Sequence, residues 1–440
     1  MAQLQQLLGG VLQAWSSGDG HRLSAAFILP LRPHPLPADV RNAQSNGHDL
    51  DALAAGVLEG QAGGDFVETV GAYLQALSAL AQGSWERVFA QLHRAFDAYS
   101  KTLQGAQDPD FVAFLLPTLK VLARHLNLAA TRADAGAEGF KSLRKAENTL
   151  KNCFTDMLKD RSGARKPVLL CIAAQLFQVY SRMSNIPFAK TLVNTLKRPT
   201  TLQGVQQVKA DIITYNYHCG RLFVFEDQFQ EAESYLGSAF EGCHKDAVGN
   251  KRRILAYLVP VRILLGRMPT DRLLDKYGLP HFKGICRGIR TGNLRLFEQA
   301  LADNQELFIR QGNFLILERT RKLCYRTLFR NLQKAAGYGP ENTRVRLGDC
   351  EAAFRWMNCD SEPEQIECIL ANLIHKGIIK GYIAHAQVSS CTCPHRQGRA
   401  VAQLSMYSPL PQCCLSLFLS FSPFLSFCPF LFVSCRDCSC

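Results

Sequence analysis

No phosphate-cradling P-loop, dinucleotide fingerprint, G-x-S-x-G elbow or H-E-x-x-H pair occurs in the 440 residues. The enzyme classes that announce themselves by those motifs therefore have no foothold here. The 11 histidines are scattered. His218 and Cys219 are neighbours, but adjacent helical residues point in different directions, so the pair reads as packing and not as a catalytic couple. The start, MAQLQQLLGGVLQAW, lacks a basic residue followed by a long apolar core. It reads as an amphipathic helix and not as a secretory signal, and the expected setting is cytosolic or nuclear, with reduced thiols. Strand-like alternation is scarce along the body. Between Arg399 and Arg436 there is no acidic or basic residue at all.

What is present points to a globular chain. Hydrophobic residues make up 47%, too many for disorder and enough for two or three cored domains. Fifty Lys and Arg outweigh 37 Asp and Glu, a net charge of +13, which suits nucleic acid or an acidic protein partner. Nine of the 17 cysteines precede Ser389. Those such as Cys153, Cys219, Cys243 and Cys324 fall inside helical patterns, where a thiol behaves as a small buried hydrophobe.

The last 52 residues, 389–440, hold the other eight cysteines, and LSLFLSFSPFLSF (Leu415 to Phe427) uses only Leu, Ser, Phe and Pro. Pyrimidine-only codons encode just those four, so the segment reads as a translated polypyrimidine tract, from a retained intron or a mistaken gene model. Two alternatives weigh less. Cys413 to Val433 has the length of a membrane span, but Pro423, Pro429 and repeated Ser interrupt it. Cys391, Cys393, His395, Cys413 and Cys414 lack the paired spacing that structural zinc prefers. The expectation is an aberrant, unstructured tail with no metal and no cofactor.

Residues 28–50 are rich in Pro, Asn and Gly and read as a linker after an N-terminal helix over 1–16. From 51 to 310 apolar residues recur at helical spacing. In Val208 to His244 the positions Phe229, Ala232, Leu236, Ala239, Phe240 and Cys243 form one stripe, while Gly220, Phe223, Ala232, Leu236 and Ala239 fall at tetratricopeptide spacing, with Asp227 and Gln228 at the turn. Weaker hairpins run from Tyr73 to Tyr99 with a turn at Gly83 and Ser84, from Val168 to Leu196 with a turn near Ser184 to Pro187, and from Gly292 through Leu294, Phe297 and Leu301. Such units bury their faces only by stacking into a solenoid. The predicted fold class is therefore all-α, a helical-hairpin solenoid.

Residues 311–388 change pattern. Phe314 to Lys334 is predicted as one helix with Tyr325, Leu328, Phe329 and Leu332 inward, and with Lys322, Arg326, Arg330 and Lys334 at four-residue steps. Gly337 and Gly339–Pro340 break it. A short strand over Thr343 to Arg346 follows, then a helix over Leu347 to Met357. A third helix is capped by Ser361 and has Ile366, Ile369, Leu370, Leu373 and Ile374 inward. Gly377 and a strand over Ile378 to His385 close the run. That order is a winged helix. The expected final wing strand is replaced by the tail, leaving the module one strand short with an exposed edge.

Helical hairpins running into a winged helix resemble the PCI-domain family, here over about residues 205–388. The segments YNYHCGRLFVFEDQFQEAESYLGSAFEGCHK (Tyr215 to Lys245), GNKRRILAYLVPVRILLGRMPT (Gly249 to Thr270), FIRQGNFLILERTRKLCYRTLFR (Phe308 to Arg330) and IECILANLIHKGIIKGYIAH (Ile366 to His385) are similar to matching stretches of its COP9 signalosome subunit twelve-like branch. The resemblance implies a nuclear mRNA-export role, coupling transcription to export at the nuclear pore. It also implies two partners: a large scaffold of the germinal-centre-associated nuclear protein type, and a small acidic disordered subunit shared with the proteasome. Paired winged helices there present a basic surface to single- or double-stranded nucleic acid.

Lys322, Arg326, Arg330, Lys334, Arg344, Arg346, Lys376 and Lys380 are the candidates for phosphate contact without base readout. Lys251, Arg252 and Arg253 are candidates for an acidic partner. His375 is a surface residue of the third helix. Two other roles stay open: a purely protein-binding subunit of a proteasome-lid, signalosome or initiation-factor assembly, and an autonomous DNA-binding regulator. No small-molecule substrate and no membrane attachment are expected.

Overall fold

Three hairpin turns in the chain are built the same way. After α5 (Gly64–Ala81), α9 (Leu169–Arg182) and α12 (Lys209–Phe225) comes a residue in the left-handed region: Gly83 at φ 73°, Ser184 at 53° and Asp227 at 60°. The next amide then reaches back five residues, from Ser84 to the Ala79 carbonyl, from Asn185 to Tyr180 and from Gln228 to Phe223, at 3.2, 2.8 and 2.9 Å. This closure satisfies carbonyls that the helix end leaves open, and Ser84, Asn185 and Gln228 each begin the returning helix. The turns fall where the sequence places them.

The computed structural model describes residues 2–58, 60–136, 139–160, 162–202, 205–335, 337, 344–359, 361–384 and 401–405. It comprises two units, Met1–Arg287 with Leu296–Arg321, and Gly288–Arg295 with Lys322–Cys440. The second begins after Arg321 and not after residue 310, and it takes in the segment between two helices of the preceding pair.

The first unit opens with α1 (Ala2–Ser17), α2 (Gly20–Ala26), α3 (Pro35–Ser45) and α4 (Leu50–Leu58). The hairpins follow: α5 with α6 (Trp85–Gly105), α7 (Pro109–Ala133) with α8 (Lys141–Lys159), α9 with α10 (Ile186–Leu196), a short α11 (Pro199–Leu202), and α12 with α13 (Phe229–Gly242). Then come α14 (Val248–Leu264), α15 (Asp271–Lys276), α16 (His281–Thr291) with α17 (Leu294–Asp303), α18 (Gln305–Gln311) and α19 (Phe314–Arg319). Its core is apolar throughout: Trp15 stacks on Phe66 at 3.9 Å, and Phe27, Tyr73 and Tyr99 are fully buried around them. Full burial of one such side chain stabilises by roughly 1.5–3 kcal/mol. α7 is long and apolar enough to cross a membrane by length and composition, and here that apolar surface is spent on the core through Leu115, Leu119, Leu122 and Leu126.

The linker expected over 28–50 is corrected. Within it α3 forms, because Pro35 and Pro37 sit in the first turn, where a missing N–H costs nothing. The His34 Nδ1 accepts from the Leu36 amide at 3.2 Å, and Leu36, Val40 and Ala43 are buried.

The single helix expected over Phe314 to Lys334 is corrected too. It divides at Thr320, whose buried hydroxyl donates to the Leu317 carbonyl at 2.6 Å, a local bond that competes with helix continuation. The second piece is α20 (Arg321–Ala335).

In the second unit α20 is followed by β1 (Arg344–Arg346), α21 (Leu347–Trp356), α22 (Pro363–His375), β2 (Lys380–Ala384) and β3 (Val401–Ser405). Glu362, and not Ser361, caps α22, with Pro363 at its first position. The core joins Leu328 and Phe329 to Val345, Cys350, Phe354, Ile366, Leu370 and Ile379, and Tyr325 stacks on Phe354 at 6.0 Å. Gly292, at φ 72°, lies so close to α20 that a Cβ there would fall 2.6 Å from the Leu328 nitrogen.

The missing wing strand is a further correction. β3 lies between β1 and β2 and is antiparallel to both, with Val401 opposite Arg346 on one side and Ala384 on the other. Five residues are enough for a strand of this length, so pairing reaches into the segment expected to be an aberrant tail. Gly339, Pro340, His385 and the cysteine-rich residues from 406 onward lie outside the described residues.

Candidate nucleic-acid interface

Strand alternation sorts the sheet into two faces. Val345 is buried and Ile383 half-buried, which marks the core side. Arg346, Lys380 and Tyr382 occupy the other parity and are exposed, Tyr382 at 57%. In the register Lys380 pairs with Ser405, Tyr382 with Gln403 and Arg346 with Val401. With about 4.8 Å between strands and 3.4 Å per residue, Arg346 and Lys380 are roughly 10 Å apart across the sheet and 13 Å along it. Arg344 holds the register position opposite Gln403. An aromatic side chain thus stands between two cations, the combination that tracks a phosphate backbone while offering a stacking platform.

On α20 the four-residue steps keep Lys322, Arg326, Arg330 and Lys334 on one face. The outer pair, Arg330 and Lys334, is exposed, and the inner pair is half-buried. The inward stripe runs one step off the expected positions: Leu323, Cys324, Leu328 and Phe329 are buried, whereas Tyr325 and Leu332 are half-buried. Lys376, the C-cap of α22, is exposed, as is His375.

α22 is the helix that a base-reading winged helix would present. Its exposed side opens on Glu364 and Gln365 and continues through Cys368, Ala371 and Asn372. From Lys322 to Ala384 the sequence has nine Lys and Arg against seven Asp and Glu, a surplus of two. The unit is therefore not uniformly basic. Its positive charge is segregated to the outer sheet face, to α20 and to the far end of α22, away from the acidic start of that helix.

The stretch 251–253 divides. Lys251 is 9% exposed; its Nζ donates to the Phe240 carbonyl at 2.9 Å and sits 4.4 Å over the Phe240 ring. It therefore closes the C-terminal end of α13, where a cation suits the helix dipole, and is corrected from a partner contact to a structural residue. Arg252 and Arg253 are exposed. Arg252 lies beside His281, whose imidazole is held down to about 4 by burial and by that guanidinium.

His218 and Cys219 are both buried, and burial drives them apart chemically, His218 down to about 3 and the Cys219 thiol up to about 12. A nucleophile–base couple requires the opposite shifts. Among the described residues, no three His, Cys, Asp or Glu side chains gather as a metal site. Seven of the nine described cysteines are buried, as expected; Cys359 is half-buried and Cys368 exposed.

Tyr382 was legible but passed over: in KGYIA the alternation that turns Ile383 inward turns Tyr382 outward with Lys380. Trp356, 82% exposed at the end of α21, carries no such signal.

Comparison with known proteins agrees with this architecture. A PCI domain model matches residues 301–387. The chain is 30% identical to PCI domain-containing protein 2 of Xenopus laevis, over 93% of this chain and 99% of that protein. It is 30% identical to the PCI domain-containing protein 2 homolog of Dictyostelium discoideum, over 79% of this chain and 81% of that one. The Protein CSN12 homolog of Gibberella zeae is 28% identical, over 72% and 80%. Its all-α hairpins, its terminal winged helix and this end-to-end likeness together place the chain in the PCI domain-containing protein 2 family.

Proposed function

We propose that this chain is a non-catalytic scaffold subunit of a nuclear mRNA-export assembly, and that its second unit contributes a surface for sequence-independent nucleic-acid binding. The observation that carries the binding role is the outer sheet face, where Arg346 and Lys380 flank exposed Tyr382. Phosphate contacts and stacking need no particular sequence, whereas base readout needs donors and acceptors aimed from a helix in a groove. The acidic opening of α22 weighs against such readout, and so against an autonomous DNA-binding regulator.

In this reading the hairpin unit holds protein partners. Those expected are a large scaffold of the germinal-centre-associated nuclear protein type and a small acidic disordered subunit. The setting is the nucleus, at the nuclear pore. The likeness to PCI domain-containing protein 2 supports the scaffold role.

The modest charge surplus favours one competing reading, a PCI subunit whose winged helix serves protein assembly alone. Titrating the assembled complex with oligouridylate RNA and with duplex DNA at several salt concentrations separates the two. Salt-dependent binding to both supports the first reading, and no measurable binding supports the second.

A further inference from the structure

A groove of about 720 Å³ opens in the first unit, bounded by side chains of α7, α9, α12 and α14. That volume lies within the range of specific ligand sites. Asp211 is at its floor, with a side chain only 5% exposed. The Lys120 Nζ meets it at 2.6 Å and an Arg124 Nη2 at 3.7 Å. Lys120 is itself largely buried at 16%, whereas the Arg124 side chain is 54% exposed. The single buried carboxylate is thus answered by the lysine, and most of the Arg124 fork remains turned to solvent. Arg253 lines the groove from α14, exposed and without a carboxylate partner among the described residues. The groove accordingly carries a positive surplus fixed on two rigid helices.

The rest of the lining is amide and hydroxyl. Gln178 and Asn250 border it, and Gln175 is held by the Asn127 amide at 3.1 Å. Side-chain amides both donate and accept, which matches the alternating N–H and C=O of an extended peptide. His218 also lines the groove, stacked on Phe177 at 5.9 Å.

We propose that this groove takes an extended acidic peptide segment of a protein partner, with Arg124 and Arg253 engaging its carboxylates and the amide side chains its backbone. A nucleic acid fits less well. Two exposed cations fall short of the roughly 6–10 phosphate contacts that give a strand its affinity, and the Asp211 carboxylate opposes a continuous row of phosphates. The inference is independent of the outer sheet face, which belongs to the second unit.

The test uses the full chain and a short fluorescein-labelled peptide of alternating Glu and Gly, followed by anisotropy. A Gln–Gly peptide and oligouridylate RNA serve as the other arms. The expected result is binding of the Glu peptide but not the Gln peptide. It is weakened about tenfold or more by Arg253→Glu, the loss of a well-placed charged contact, and likewise by Asn250→Asp, with unchanged circular dichroism. Arg346→Glu with Lys380→Glu leaves peptide binding as it was and lowers RNA binding. The proposal is overturned if Glu and Gln peptides bind alike or not at all, if neither groove substitution alters affinity, or if RNA displaces the peptide and Arg253→Glu weakens RNA binding. Loss of RNA binding in the sheet-face variant, with peptide binding intact, reports on the nucleic-acid reading alone.

Discussion

Gly220 on α12 faces Leu236 on α13 so closely that a Cβ on the glycine would fall 2.5 Å from the Leu236 Cγ and 3.2 Å from its backbone nitrogen. Leu236 is fully buried, so neither partner has room to withdraw. Gly220→Ala should destabilise the first unit by about 1–3 kcal/mol, the cost of overpacking a filled core, even though alanine favours a helix by up to about 1 kcal/mol. Urea unfolding measures the difference. A variant as stable as the parent would mean that the two helices are not locked by this contact.

Lys251 and Arg252 are sequence neighbours with opposite fates. Lys251→Ala removes a charged hydrogen bond to the Phe240 carbonyl and a cation over the Phe240 ring, and should cost about 1.5–3 kcal/mol. Arg252→Ala, at an exposed position, should stay within about 0.5 kcal/mol of the parent. Equal losses in chemical denaturation would contradict the structural assignment of Lys251.

Buried histidines make the first unit acid-sensitive. Burial depresses His125 to about 4 and His218 to about 3, from an ordinary value of 6.5. The folded chain holds these rings neutral, while the unfolded chain protonates them below pH 6.5. Their stabilising contribution is thus fully present above that pH and is lost as pH falls from 6.5 toward the folded values. Each ring adds a slope of up to about 1.4 kcal/mol per pH unit in that window. His218→Phe, a shape that suits the stack on Phe177, should flatten the pH dependence of the urea midpoint between pH 6.5 and 4. An unchanged slope would show that His218 is charged or exposed in the folded chain.

Much of the fold was legible. Gly220, Gly83 and Asp227 mark hairpins because a close approach or a left-handed turn admits few residue types, so local chemistry is enough to find them. The order of helices and strands from α20 to β2 is likewise written in apolar spacing. What failed needed tertiary information. The prolines of 28–50 read as breakers, yet Pro35 and Pro37 begin a helix whose buried face only a partner surface reveals. Lys251 looks like a solvated residue on its own helix, because the ring and carbonyl that hold it come from α13. VAQLS is too short to declare itself a strand until β1 and β2 flank it. At the candidate interface the basic positions were readable, but which of them share an outer face follows from the register through β3.

The central claim, a phosphate-binding and base-stacking face on the second unit, rests most directly on one paired measurement. Affinity of the assembled complex for oligouridylate RNA is followed against salt for the parent, for Arg346→Gln with Lys380→Gln, and for Tyr382→Ala. The account predicts that the double substitution lowers the slope of log K against log salt by about 1.5 to 2, close to one unit per lost contact. Tyr382→Ala should weaken binding by about 1–3 kcal/mol with its slope unchanged. Slopes and affinities identical in all three proteins would contradict it.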